Sequence, residues 1–219
     1  MIARADVAST RWFQYRLRTL LAAIAVLCLP LAWLAWRIPE KRRERAAVSE
    51  IQAWGGWVSY DYEIDEDGAE VAGSEPTGPA WLRRLCGDDF FATPTAVDLD
   101  RTSINDSHLV LLEVLIALEA LDLSDTQITD AGLHHIKSLA SLKSLSLAGT
   151  PITGSGLAHL KGMTEIREAF LGGSQMSDFG LANLKGLTNL KHLDLRNTNV
   201  TETGIAELQR DLPLCEIIR

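Results

Sequence analysis

From residue 97 onward, apolar and polar positions follow two superimposed rhythms. Short L-x-L runs alternate with period two, which predicts brief strands with one buried face. After each strand the apolar residues return at helical spacing, as in Leu133, Ile136 and Leu139. The pair Thr129-Asp130 just before them is of the type that caps a helix N-terminus. The whole pattern recurs every 24 residues, with units starting at Val97, Leu121, Leu145, Ala169 and Leu193 and a sixth opening at Ile217. Stacked, the units show apolar columns. The third position is Leu99, Leu123, Leu147, Leu171 and Leu195, and the eighth is Ile104, Ile128, Ile152, Met176 and Val200. The thirteenth is Leu109, Leu133, Leu157, Leu181 and Ile205, and the sixteenth Leu112, Ile136, Leu160, Leu184 and Leu208. One strand–turn–helix unit cannot cover these columns alone, whereas stacked units can. The expected product is a curved solenoid with a parallel sheet on its concave face and helices outside.

The sixth position carries a hydroxyl throughout, at Thr102, Thr126, Thr150, Ser174 and Thr198. These side chains are expected to hydrogen-bond the turning backbone of adjacent units as an inner ladder. The pattern L-x-L-x-x-T-x-I-T-D-x-G-L resembles the leucine-rich repeat family in its cysteine-containing subtype, with Thr where that subtype has Cys or Asn. The resemblance covers 97–219. It implies an α/β fold, a right-handed leucine-rich-repeat solenoid, here preceded by an N-terminal transmembrane helix. Membrane-anchored bacterial proteins with a basic N-terminus, one span and Thr-type repeats look like the whole architecture, including the stretch W-L-R-R-L-x-G-D-D-F-F before the repeats.

A solenoid needs lids. The segment 79–91 is expected to be the N-terminal cap helix, with Trp81, Leu82, Leu85 and Phe90 facing the first unit. In the last unit the apolar position slips from Asp211 to Leu212 beside Pro213, and 215–218 closes the sheet. Cys86 and Cys215 then lie about five strand spacings of ~4.8 Å apart, too far to pair.

The first third of the chain reads differently. Residues 19–36 are eighteen positions without a charge, about 27 Å as a helix, close to the ~30 Å of a bilayer's hydrocarbon core. Trp12, Phe13 and Tyr15 precede them, Trp33 and Trp36 end them, and Arg16, Arg18 and Arg37 flank them, as at two membrane interfaces. A signal peptide and a buried helix of a soluble domain are the alternatives; against the first, no small-x-small cleavage site follows. Four Lys/Arg precede the segment and five follow it within about 15 residues, so the positive-inside rule leaves both orientations open, and the basic N-terminus alone favours a body outside the cytoplasm. The boundaries expected are therefore a basic tail (1–18), a transmembrane helix (19–36), a juxtamembrane helix, hairpin and linker (37–78), a cap (79–96) and the repeats (97–219). Within 37–78, a helix over 39–54 starts at Pro39, stops at Gly55-Gly56 and shares a face of Ala47, Val48, Ile51 and Trp54. Next, VSYDYEI alternates as a strand and returns through DEDG to 69–72 as a hairpin. The acidic run there lacks the closing Glu of a calcium loop.

Charge sharpens the division. Residues 1–45 hold nine Lys/Arg against three Asp/Glu, a net +6, and the remainder holds 12 against 26, a net −14. An acidic body excludes nucleic acid as its partner, while the basic front has lipid headgroups to meet. No histidine or cysteine grouping has metal-ligand spacing: His134, His135 and His159 fall on the outer helical face. No nucleophile–base order or phosphate loop is present either, so no metal, cofactor, small-molecule substrate or enzymatic activity is expected.

The concave face remains. Its central outward column is Asp98, Asp122, Ser146, Phe170, Asp194 and Ile218. The following column contains Asp100 and Arg196, and the preceding one runs Ala96, Ala120, Ser144, Glu168, His192 and Glu216. Asp98, Asp100, Asp122, Ser146, Phe170, Asp194 and Arg196 are the candidate partner-binding residues: acids around a single aromatic anchor, suited to a basic protein. The competing reading of Phe170 is structural, with the ring turned inward to fill volume that Ala169 leaves. Two other functions stay open. One is a structural protein that self-associates at the membrane. The other is a ubiquitin-ligase-type adaptor, implied by the repeat subtype alone and lacking any F-box-like segment.

Overall fold

The computed structural model describes residues 35–63 and 74–219, together with Cys28, Ala32 and Val71. They divide into two units, Met1–Arg43 and Glu44–Arg219. In the first, residues 35–43 are helical, so Pro39 lies inside the helical stretch and not at its start. Arg37 donates to Glu40 at 3.1 Å. The basic tail and nearly all of 19–36 lie outside the described residues, and no helix among the described residues is long and apolar enough to cross a membrane.

The second unit is built on a seven-stranded sheet in sequential order. The strands are β1 (Trp57–Tyr60), β2 (Pro94–Asp98), β3 (Ala120–Asp122), β4 (Ser144–Ser146), β5 (Glu168–Phe170), β6 (His192–Asp194) and β7 (Glu216–Ile218). From β2 to β7 all pairs are parallel and in strict 24-residue register. Val97 aligns with Leu121, Leu145, Ala169, Leu193 and Ile217. Their side chains, with the four apolar columns, form one continuous core. Opposite the strands the chain mostly makes short 3-10 turns such as Gly132–His134 and Gly156–Leu160. The fourth unit makes one α-helical turn, Asp178–Leu181, and the last unit a longer α-helix, Glu202–Asp211.

Three features of the unit are physical consequences of its motif. The fifth position enters the left-handed region in every unit: Arg101 (φ 54), Asp125 (φ 52), Gly149 (φ 67), Gly173 (φ 71) and Asn197 (φ 57). Gly, Asn and Asp tolerate that conformation, so the column suits the turn except at Arg101. Next, the sixth-position hydroxyls do not bond adjacent units as expected. Each donates to the carbonyl three residues back in its own unit, at 2.5–2.7 Å, and closes the turn that ends the strand.

The third feature is what does link neighbouring units. The carboxylate of Asp106 accepts from Thr129 N (2.8 Å) and Oγ1 (2.6 Å). Asp178 does the same for Thr201. Asp130 accepts from Thr153 N and Oγ1, Gly154 N and Gly156 N. The Thr-Asp pair was expected to cap its own helix, and Thr129 Oγ1 does accept from Ala131 N at 3.3 Å. The aspartate, however, reaches forward into the next unit. This explains the glycine three residues after each receiving threonine: a Cβ on Gly132 would collide with Asp106, and one on Gly204 with Asp178. Burial pushes the Asp130 carboxyl up, but the hydrogen bonds it accepts together hold it below the usual carboxylate range. A depressed folded-state value means that its stabilisation is present above the unfolded value near ~3.9 and is lost as pH falls through the folded value. Asp130→Ala is expected to lower unfolding free energy by about 1–3 kcal/mol at pH 7, because buried amides lose their acceptor. In urea melts that deficit should shrink towards pH 3; a deficit independent of pH would refute the ladder.

The lid over the first unit is not the segment expected. In the helix Ala80–Cys86, Trp81 is 68% exposed and Leu85 77%, so both face solvent; only Phe90 beyond it is buried. The cap is instead the helix over 44–53, whose Ala47, Val48 and Ile51 join the core with Val58 of β1. Gly55-Gly56 ends it, as expected. Trp54 meets His108 edge-on at 4.8 Å, at the position where later units carry glycine. The alternating run also differs from expectation. Strand β1 ends at Tyr60, Asp61–Glu63 turn, and β1 pairs antiparallel with β2, while the turn at 65–68 lies outside the described residues. At the other end Leu212 is buried and β7 closes the sheet, as the slipped repeat implied. Cys215 is a free buried thiol, its ionisation disfavoured by burial.

Candidate functional site: the open face of the sheet

In a strand, successive side chains point to opposite faces. Because the Leu column points inward, the second position of each unit must point out. The register confirms this column: Asp98, Asp122, Ser146, Phe170, Asp194 and Ile218 align one beside the next. The column before it, Ala96, Ala120 and Ser144 and onward, lies on the same face. Asp98, Asp122, Ser146, Phe170 and Asp194 of the first column and Ala96, Ala120 and Ser144 of the second line a groove of ≈ 630 Å³. Phe170 is 38% exposed and holds its outward register position, while Ala169 stays buried beneath it. The inward-filling reading of Phe170 is therefore excluded.

The acids do not act as one cluster. Asp194 is only 8% exposed and is bracketed by Arg196, whose Nε lies 3.0 and 3.1 Å from the two carboxylate oxygens and whose Nη2 lies 2.6 Å from one. The Arg196 hydrogen bonds outweigh burial and hold the Asp194 carboxyl below its ordinary range. Asp194 and Arg196 thus neutralise each other. Asp100 faces Arg101 at 3.6 Å. Neither Asp100 nor Arg196 lines the groove.

Asp98 and Asp122 remain. Each uses Oδ1 to accept the backbone N–H two residues on, Asp100 N and Ser124 N, both at 2.8 Å. Asp122 also accepts from Ser124 Oγ, which lies 2.6 Å from Ser146 Oγ. These bonds fix both carboxylates on neighbouring strands. Among the described residues neither has a cationic partner.

One groove residue was missed in the sequence. Trp57 of β1 is the antiparallel partner of Asp98, lines the groove and is 64% exposed. Its Nε1 donates to Ser59 Oγ at 3.0 Å, which fixes the indole along the strand. Inward Val58 implies outward Trp57 and Ser59 by the same alternation. The signal was present, but the partner strand was not legible from local pattern.

The histidines fall where expected. His134 is exposed, with its ring 3.6 Å from that of His135 and 6.2 Å from that of His159. His135 Nδ1 lies 2.7 Å from Glu113. Among the described residues, no group of three or more His, Cys, Asp or Glu side chains is placed to hold a metal ion.

Repeated strands in 24-residue register, a short turn on the opposite side and apolar columns between them define a leucine-rich-repeat solenoid. Residues 117–136, 138–160 and 186–208 match the family model described as Leucine Rich repeat, which supports that family for the domain. No curated protein matches the chain in sequence. Among solved structures, an internalin from Listeria monocytogenes is 24% identical, with 50% of this chain and 30% of that one covered and a TM-score of 0.44. The leucine-rich-repeat ectodomain of the receptor kinase SOBIR1 from Arabidopsis thaliana is 16% identical over 81% of this chain and 91% of that one, with a TM-score of 0.49. A leucine-rich-repeat protein from Leptospira interrogans is 21% identical, with 50% and 33% covered and a TM-score of 0.38. The chain spans about a third of the length of the first and third of these.

Proposed function

We propose that this chain is a non-enzymatic interaction module that presents the open sheet face to a protein partner, anchored in a membrane through residues 19–36. The observation that carries the binding reading is the groove itself: an exposed aromatic, Phe170, on a sheet face that also presents the carboxylates of Asp122 and Asp98, two and three strands away and without a cationic partner among the described residues. Aromatic side chains of this kind dominate the energy of protein interfaces, and acidic surfaces steer basic partners. The apolar run 19–36 supports the anchor, and the repeat domain is proposed to lie outside the cytoplasm, in the manner of signal-like segments with a basic N-terminus. The subtype with Thr in place of Cys belongs to the same proposal.

A photoreactive amino acid at position 170, in the full chain in intact membranes, should cross-link one discrete partner. The same group at Phe179, which is 76% exposed on the helical side, should not. Cross-linking from 179 alone would move the binding surface to the helical side.

A further inference from the structure

The groove is asymmetric in a way that specifies its occupant. At one end lies the exposed indole of Trp57, and four strands away lies Phe170. At about 4.8 Å per strand the two rings are roughly 19 Å apart, the span of about six extended residues. Small side chains, Ala96, Ala120 and Ser144, pave one column of the floor and leave room for a main chain. Of the three carboxylates that line the groove, Asp98 and Asp122, without a cationic partner among the described residues, lie towards the Trp57 end, and Arg196 cancels Asp194 near the other. Glu168, on the strand of Phe170, is not part of the lining and accepts from Ser144 Oγ at 3.3 Å. Asp98 lies directly across from Trp57, and Asp122 follows on the next strand. Their Oδ1 atoms are held by backbone amides, so two carboxylates stand fixed beside an exposed aromatic ring.

We infer that the groove takes an extended segment of a partner protein laid across the strands, with an Arg or Lys side chain seated between Trp57 and the carboxylates of Asp98 and Asp122, and an apolar side chain on Phe170. This rests on the open-face reading above and adds to it the partner's chemistry and direction. An aromatic face attracts a cation, and two acceptors beside it match the donors of a guanidinium or ammonium group. Because the charged and apolar ends differ, the occupant is held in one orientation.

The test is selection of random linear heptapeptides on the full-length chain, followed by affinity measurement on variants whose melting temperatures match the wild type. Selected peptides should share one Arg or Lys about four to six positions from an apolar residue. Asp98→Asn with Asp122→Asn should weaken them about tenfold or more, and more at low salt than at high. Trp57→Ala should cost a several-fold loss, of which Trp57→Phe restores most, since the ring face is retained. Glu113→Gln, on the helical side, should change nothing. Peptides that lose binding with Phe170→Ala yet ignore Asp98, Asp122 and Trp57 would overturn the cation seat and leave the open-face reading standing. Peptides indifferent to all four positions, or no enrichment, would overturn both. Free arginine amide binding as tightly as the peptides would place a small cation in the groove and overturn the protein-segment assignment.

Discussion

Replacing Ile51 by Asp is expected to cost about 4 kcal/mol of stability, because the carboxylate enters a closed apolar site with no partner. Ile51 is fully buried on the helix over 44–53, which covers the exposed end of the first repeat. The approach is close. A Cβ on Gly56 would lie 2.7 Å from Leu99 Cδ2, 2.9 Å from Asp98 O and 2.9 Å from Ile51 Cγ2, so only glycine lets the chain turn there. A stacked-repeat domain draws its stability from interfaces between neighbours, and its end units have one neighbour unless a lid supplies the second. Loss of the lid should therefore uncover Val97 and Leu99, fray the first unit and broaden the urea transition. Ile51→Val, which keeps shape and polarity, should cost only about 0.5–1.5 kcal/mol. A change below about 1 kcal/mol for Ile51→Asp would mean that another segment covers the first unit.

What the sequence made legible and what it did not divide along a physical line. Inward and outward columns were readable because two exact periods, 2 within a strand and 24 between units, leave each side chain one face to occupy. Every strand from β2 to β7 has the register those periods require. Features that depend on a partner far along the chain were not readable. Thr129-Asp130 has the form of a local cap, yet its aspartate bonds Thr153, 23 residues on. Trp81 and Leu85 share a helix face, which implies a lid, but a seven-residue helix cannot reach over the first unit while the longer helix over 44–53 already fills that space. Asp194 reads in the sequence as one more acid of the open face, yet Arg196, two residues on, folds back upon it. The left-handed column was readable in part: Gly149, Gly173 and Asn197 announce it, and Arg101 does not.

Truncating Leu147 to Ala, in the middle of the stack, is expected to lower unfolding free energy by about 2–5 kcal/mol. Leu147 has no exposed surface, and Leu123 and Leu171 occupy the same column in the units on either side, both buried. The hole would thus weaken two interfaces at once. In a one-dimensional stack, weakening a central pair of interfaces does more than lower the sum, because it uncouples the units on either side. Urea denaturation followed by circular dichroism should show a lower midpoint and a transition that begins to separate into two. Leu147→Met keeps the volume and should stay within about 1.5 kcal/mol. Leu214→Ala, at a position 92% exposed, should stay within about 0.5 kcal/mol. If Leu147→Ala proved as mild as Leu214→Ala, the column would not be the continuous core that the register requires. The 24-residue period would then have to be satisfied by a different face of the strand.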